Sequence, residues 1–282
     1  MRILREVEVL LHALSLYGAI GVAAFGWGVC CLLEWEAKQW LPLWFCAVLV
    51  IYNADRLRPE PADVVNIPLR TASSRRLRGI SFGICAVAAV FLFAFPLFTR
   101  DWLTFSLVIG GAVTCLNYSI PLFGFRWKDV PLLKTFFVPT IVTAAIFGLP
   151  WLHLDPGTDG GTFLLTVLRC WSFLFFNVIL CDLRDIDGDR SCGIRSVPVA
   201  LGVQKTRWLL AALIILIEAL ALGALAHEPV RHQTTLQIIC IVCPLYLGSL
   251  LLAVRRPQPE RFYEWAVEGM LFLPAFAMIL GE

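Results

Sequence analysis

The chain has 282 residues, of which 59% are hydrophobic and 16% charged, at a formal net charge of +2. Its mean hydropathy is +0.78. Ordinary soluble domains hold about 45–50% apolar residues, so this composition excludes a freely soluble globular protein and makes a bilayer the expected solvent.

In chain order, apolar stretches near the ~20 residues that cross a ~30 Å hydrocarbon layer lie at about 9–33, 40–55, 78–98, 102–120, 131–152, 162–181, 207–226, 234–254 and 263–280. The expected fold is therefore all-α, a polytopic bundle of about nine transmembrane helices, with 1–282 forming one transmembrane domain. The second stretch, WLPLWFCAVLVIYNA, is the shortest. The first follows Arg2 and Arg5 but outruns the ~7–15 residue apolar core of a secretory signal, so it reads as a membrane helix.

Most of the ten cysteines fall within these stretches and are expected to act as small hydrophobes, with no disulfide framework. Cys240 and Cys243 have CxxC spacing but lie mid-span before Pro244 without a second ligand pair. His12, His153, His227 and His232 are scattered and give no metal-ligand spacing. Two charges inside the spans, Arg169 and Glu218, sit at similar depth in consecutive antiparallel helices and are expected to pair, because an isolated charge there costs about 2.5–3.5 kcal/mol.

Basic residues in the connections set the orientation. Lys38, Arg100 and Arg231 fall on one side and Lys134 and Arg169 inside spans, which leaves eighteen of the 23 Lys and Arg on the other side. The N-terminus and the even-numbered connections are thus expected in the cytoplasm and the C-terminus outside, with the cell inner membrane as the expected location.

Two of those connections are acidic as well as basic. DLRDIDGDR, residues 182–190, places Asp182, Asp185 and Asp189 within an arc of about 60° if the preceding helix continues. Unpaired carboxylates ~6 Å apart repel by roughly 3 kcal/mol at an effective dielectric of 20, so the cluster invites a cation. Oxygen ligands without His or Cys favour Mg²⁺. A solvated loop neutralised by Arg184 and Arg190 is the competing reading. YNADRLRPEPADVVNIPLR, residues 52–70, likewise mixes Asp55, Glu60 and Asp63 with arginines four spans earlier, so the two loops are expected to share one cavity that opens laterally to lipid.

The stretch DLRDIDGDRSCGIRSVPVALG, residues 182–202, resembles the second aspartate motif of UbiA-type intramembrane prenyltransferases. The nine-span layout, NYSIPLFGFRWKDVPLLK at 117–134 and NIPLR at 66–70 extend the resemblance over essentially the whole chain. The first motif departs from the family's NxxxDxxxD, because Pro59 stands where one aspartate belongs in either register. The resemblance implies an enzyme that transfers an isoprenyl group from a prenyl diphosphate to a lipophilic acceptor, often an electron-rich aromatic ring. It implies Mg²⁺ held by Asp182, Asp185 and Asp189, and a second ion at Asp55 and Asp63. It further implies diphosphate contacts from Lys134, Arg70 and Arg195. Lys134 could alternatively snorkel, Tyr118 could steady an allylic cation or anchor at the interface, and Asn177 could orient a carboxylate or make an interhelical hydrogen bond. No nucleic-acid or protein partner is expected. A CDP-alcohol phosphotransferase would need DxxDG, and the residue three before Asp187 is Arg184. The remaining alternative is a non-catalytic UbiA-like protein that binds or transports, with a degenerate first motif.

Overall fold

The computed structural model describes residues 2–58, 60–153, 160–227 and 233–281, and the side chains among them except those of 2–5 and 227. Arg231, His232 and Pro59 lie outside the described residues, as does the side chain of His227. All regular structure among the described residues is helical. Seven helices are long and apolar enough to cross a membrane: α6 (Arg78–Phe98), α7 (Trp102–Ser119), α8 (Leu133–His153), α9 (Gly160–Arg184), α12 (Val203–His227), α13 (Gln233–Ala253) and α14 (Glu260–Gly281). The pair α1 (Arg2–Ala13) and α2 (Leu16–Leu32), bent by 65°, makes up to eight. The stretch expected at 40–55 forms α3 (Leu41–Arg56), whose 16 residues rise only about 24 Å, short of a full crossing. The count of nine spans is therefore not reached by length.

The bend falls at Ser15, which adopts a left-handed conformation with φ 60°. A bend of this size leaves carbonyls without helical donors, and each must find another in an apolar setting. Arg56 Nη1 donates to His12 O at 2.5 Å and Asn53 Nδ2 to Leu14 O at 3.1 Å. Both donors come from the last turns of α3, so the bend fixes α3 beside α2.

Neighbours in the bundle run α7, α6, α3, α2, then α14, α13, α12, α9 and α8. Helix α2 sits at the junction and is apolar on all sides, as a central helix must be. Phe25 stacks on Phe173 of α9 with ring centroids 5.7 Å apart, and Phe176, Ile179 and Leu180 of α9 are fully buried in the same cluster. At the opposite end from the acidic loops, Asp101 caps α7 through Thr104 N–H at 2.9 Å and lies 2.9 Å from His153 Nε2 of α8.

Helix α14 is irregular, with a π turn over Tyr263–Val267 and a 3₁₀ turn over Met270–Phe272. Three consecutive carbonyls of that π turn accept from three different helices. Tyr17 Oη of α2 donates to Trp265 O at 3.4 Å, Tyr246 Oη of α13 to Ala266 O at 2.7 Å, and Asn177 Nδ2 of α9 to Val267 O at 2.8 Å. The extra residue in the turn is thus compensated by side chains rather than left open to lipid.

Among the described residues, Arg169 and Glu218 form no ion pair within 4 Å, although they remain close enough to interact electrostatically. Arg169 is 6% exposed, and its Nη1 has no hydrogen-bond partner and borders a cavity of about 40 Å³. Equal depth along two helices does not fix their rotation. Here Arg169 turns into the core beside Cys170, while Glu218 is half-exposed.

Close packing of α2 on α14 generates a prediction. A Cβ at Gly28 would lie 2.7 Å from the backbone of Pro274 and Ala275, whereas one at Gly83 would meet nothing within 4 Å. Gly28→Ala should lower stability by about 1–3 kcal/mol, seen as a reduced Tm in detergent, while Gly83→Ala should leave Tm unchanged or raise it.

Candidate functional site

The second acidic stretch does not continue α9 as one helix. The helix ends at Arg184, Asp185 takes φ −86° and ψ 3°, and a new short helix α10 covers Ile186–Ser191. Hydrogen bonds from Asp185 N–H to Cys181 O and from Asp189 N–H to Asp185 O persist on either side of the break. The chain therefore changes direction while Asp182, Asp185 and Asp189 still line one cavity.

The first acidic loop reaches the same cavity through α4 (Pro61–Asn66) and α5 (Pro68–Arg76). Pro61 at the first helical position starts α4, since its missing N–H needs no partner there. Asp63 then caps this helix by accepting from Glu60 N–H at 3.0 Å. The two loops touch directly: Gly188 N–H donates to Asn66 Oδ1 at 3.0 Å. Any Cβ at Gly188 would overlap the Asn66 carboxamide, so this approach requires glycine.

The shared cavity measures about 260 Å³. Of the sequence-derived candidates it gathers Asp55, Asp63, Arg70, Tyr118, Lys134, Asn177, Asp182, Asp185 and Asp189. Arg195 stands apart, its side chain exposed and outside the cavity lining, while its carbonyl accepts from Leu132 N–H at 2.7 Å. Asn177 is spent on the Val267 carbonyl. Arg70 pairs with Glu268 of α14 at 3.1 Å, and Tyr118 stacks on Phe137 with centroids 4.7 Å apart.

Lys134 Nζ lies 2.6 Å from Asp189 Oδ2 and 3.2 Å from Asp182 Oδ1. These carboxylate side chains are 2% and 3% exposed. Burial pushes the Asp189 carboxyl above the usual carboxylate range against the pull of Lys134, and burial likewise raises Asp63. Asp185 is held by Arg184 at 2.7 Å, whose guanidinium lies 5.3 Å from the Tyr263 ring centroid.

Several participants carry no signal in sequence spacing. Lys128 Nζ sits 2.7 Å from Glu60 and 3.6 Å from Asp55, Arg126 also pairs with Glu60, and Ser119 Oγ donates to Asp55 Oδ1 at 2.5 Å. Lys128 and Arg126 lie in the quoted 117–134 segment, but nothing local marks partners more than sixty residues away.

Thr135 is the least conspicuous of these. Its hydroxyl donates to Asp182 Oδ2 at 2.5 Å and accepts from Val197 N–H at 3.1 Å, and the residue is fully buried. Thr135→Val should cost about 1–3 kcal/mol by orphaning a buried N–H and a carboxylate oxygen, whereas Thr135→Ser should keep both bonds and stay near wild type. Thermal unfolding of the two variants side by side measures the difference.

Comparison with known proteins bears on this arrangement. The model of the UbiA prenyltransferase family matches residues 58–273. Homogentisate phytyltransferase 1, chloroplastic, of Arabidopsis thaliana is 27% identical over 199 residues, 68% of this chain and 50% of that protein. Chlorophyll synthase, chloroplastic, of Avena sativa is 30% identical over 107 residues, 37% and 27% of the respective chains. The chain thus spans half or less of the length of these curated relatives. In fold it is similar to a UbiA homolog from Archaeoglobus fulgidus bound to GPP and Mg²⁺, with a TM-score of 0.64 at 13% identity over 96% of this chain and 99% of that one. With the family model covering most of its length, and with the fold in agreement, the chain belongs to the UbiA prenyltransferase family.

Proposed function

We propose that this chain is an integral membrane prenyltransferase, moving an isoprenyl group from a prenyl diphosphate to a lipid-soluble, electron-rich aromatic acceptor within a single transmembrane domain. The observation that carries the reading is the shared cavity, where Asp55, Glu60, Asp63, Asp182, Asp185 and Asp189 face Lys128 and Lys134 above an apolar floor of Val22, Val138, Val178 and Leu271. A polar head and an apolar tail on one molecule match these two zones.

The donor set suits Mg²⁺ in its chemistry, since the six carboxylates supply hard oxygen ligands, but among the described residues no three of them converge on one point, because Lys134, Lys128 and Arg184 pair with them. An ion that keeps several waters and shares substrate phosphates takes only one or two carboxylates directly. Asp182, Asp185 and Asp189 would hold one ion, and Asp55 and Asp63 a second. When bound, Mg²⁺ supplies positive charge to the departing diphosphate. Lys134 and Lys128 add charge from the protein at fixed positions, which lowers the barrier most where water is excluded. As the allylic C–O bond breaks, its electron pair leaves with diphosphate. The Tyr118 ring, stacked on Phe137 and with the Lys128 ammonium 5.8 Å from its centroid, would present a π face to the allylic cation once Lys128 turns to the diphosphate. The acceptor ring then supplies the electrons of the new C–C bond, and the substituted ring carbon regains aromaticity by giving up its proton to the released diphosphate. The GPP and Mg²⁺ bound by the Archaeoglobus homolog and the aromatic acceptor named for the Arabidopsis relative support this reading. The basic bias of the site-end loops supports an N-terminus in the cytoplasm and a C-terminus outside.

Membranes holding the chain, incubated with Mg²⁺ and labelled prenyl diphosphates of graded length, should release diphosphate and form a lipid product. No release with any donor would overturn the proposal in favour of a non-catalytic relative. The two motifs should respond unequally. Asp182→Ala and Asp185→Ala should lower transfer by at least about 10²–10³-fold, while Asp63→Ala should keep measurable activity at a raised Mg²⁺ requirement, because Glu60 stands beside it in the cavity wall. Mg²⁺ titration of each variant, alongside its Tm, separates a lost ligand from a lost fold.

A further inference from the structure

We infer that the groove between α3, α6 and α7 binds the second substrate, an amphiphile whose hydroxyl-bearing aromatic head meets Asp55 and Arg58 and whose apolar body lies along the three helices. The inference rests on the prenyltransferase reading and deepens it.

This second cavity measures about 420 Å³, within the ~300–1,000 Å³ usual for small-molecule sites. Its walls are apolar, formed by Val50 and Ile51 of α3, Ala89 and Phe93 of α6, and Ala112 and Leu116 of α7. On α7 it extends from Ala112 to Ser119, about 10 Å of helix. Its polar end is made by Asp55, Arg58, Glu60 and Arg126. Asp55 and Glu60 also line the diphosphate cavity, so these two carboxylates form a common wall with one space on either side.

Two features of that wall fit a hydroxylated head better than a bare hydrocarbon. Asp55 Oδ1 accepts from Ser119, but its Oδ2 has no hydrogen-bond donor among the described residues, and the side chain is 39% exposed. Arg58 is exposed and forms no ion pair among the described residues. Asp55 Oδ2 has two lone pairs, so it can hold the ion proposed above on one side of the wall and accept from a hydroxyl on the other, while Arg58 donates to that hydroxyl. The prenyl tail has its own place, because the apolar floor of the diphosphate cavity is built from α2, α8, α9 and α14. The two substrates would then approach from opposite sides of the Asp55–Glu60 wall.

Photo-crosslinking of the full chain in nanodiscs with Mg²⁺ tests this. One probe is an alkyl hydroquinone with a diazirine in its chain, and the control is the same alkyl diazirine without the ring. One charge-assisted hydrogen bond is worth about 1.5 kcal/mol or more, so the headed probe should label segments 50–54, 89–93 and 112–116 about tenfold more than the headless one. Excess unlabelled alkyl hydroquinone should compete this labelling away, and Ala112→Trp should abolish it without changing Mg²⁺-dependent binding of geranylgeranyl diphosphate. Equal labelling by both probes, meaning that bilayer lipid fills the groove, overturns the inference, as does preferential labelling of Val22 and Leu271. Geranylgeranyl diphosphate binding is read in the same preparation. Its absence would count against the prenyltransferase reading, whereas groove labelling alone decides the acceptor site.

Discussion

The ammonium of Lys134 lies between two carboxylates that the bundle has almost wholly removed from water. In so poorly solvating a place, an unpaired Asp182 or Asp189 would cost several kcal/mol, and deleting one partner of a buried ion pair costs about 3–5 kcal/mol. The contact therefore joins α8 to both α9 and α10 as well as furnishing charge to the cavity. Thr135, one residue along, binds the other oxygen of Asp182 and the backbone of Val197, so the chain on both sides of the acidic stretch is tied to the start of α8. On the function proposed above, the group that neutralises these carboxylates is also one that the diphosphate would share, so that binding would exchange one set of charge-assisted contacts for another.

The first acidic loop repeats the arrangement with different parts. Lys128 sits between Glu60 and Asp55 as Lys134 sits between Asp189 and Asp182; Lys128 comes from the segment connecting α7 to α8 and Lys134 from the first turn of α8 that follows it. One short stretch of chain thereby serves both acidic loops. Each acidic loop is also held by an arginine, Arg126 at Glu60 and Arg184 at Asp185.

Much of this was legible in the sequence because membrane solvation leaves a strong one-dimensional signal. Long apolar runs match α6 to α9 and α12 to α14 with small boundary differences, and the two acidic loops line the common cavity expected of them, although the single helix face expected for Asp182, Asp185 and Asp189 is broken at Asp185. The break at Asp185 was not legible, since DLRDIDGDR has no proline and its glycine falls three residues later. The π turn of α14 depends on donors from three other helices, which no local pattern encodes. Arg169 and Glu218 form no ion pair within 4 Å, because depth along a helix is readable from length while rotation about its axis is set by packing. Lys128 and Arg126 carry no local signal of Glu60, their partner more than sixty residues earlier.

The contact between Asn66 and Gly188 spans 122 residues of chain. At a synthesis rate of about 5–20 residues per second, Asn66 is synthesised roughly 6–25 s before Gly188. Through that interval the first half-bundle stands in the membrane with one wall of its polar cavity missing. Lys128 and Arg126 arrive much sooner, so Glu60 has its counter-charges while the second half is still being made. The nascent half can thus wait in lipid without exposing an unpaired carboxylate at that position, and the arrival of Gly188 completes an already neutralised surface.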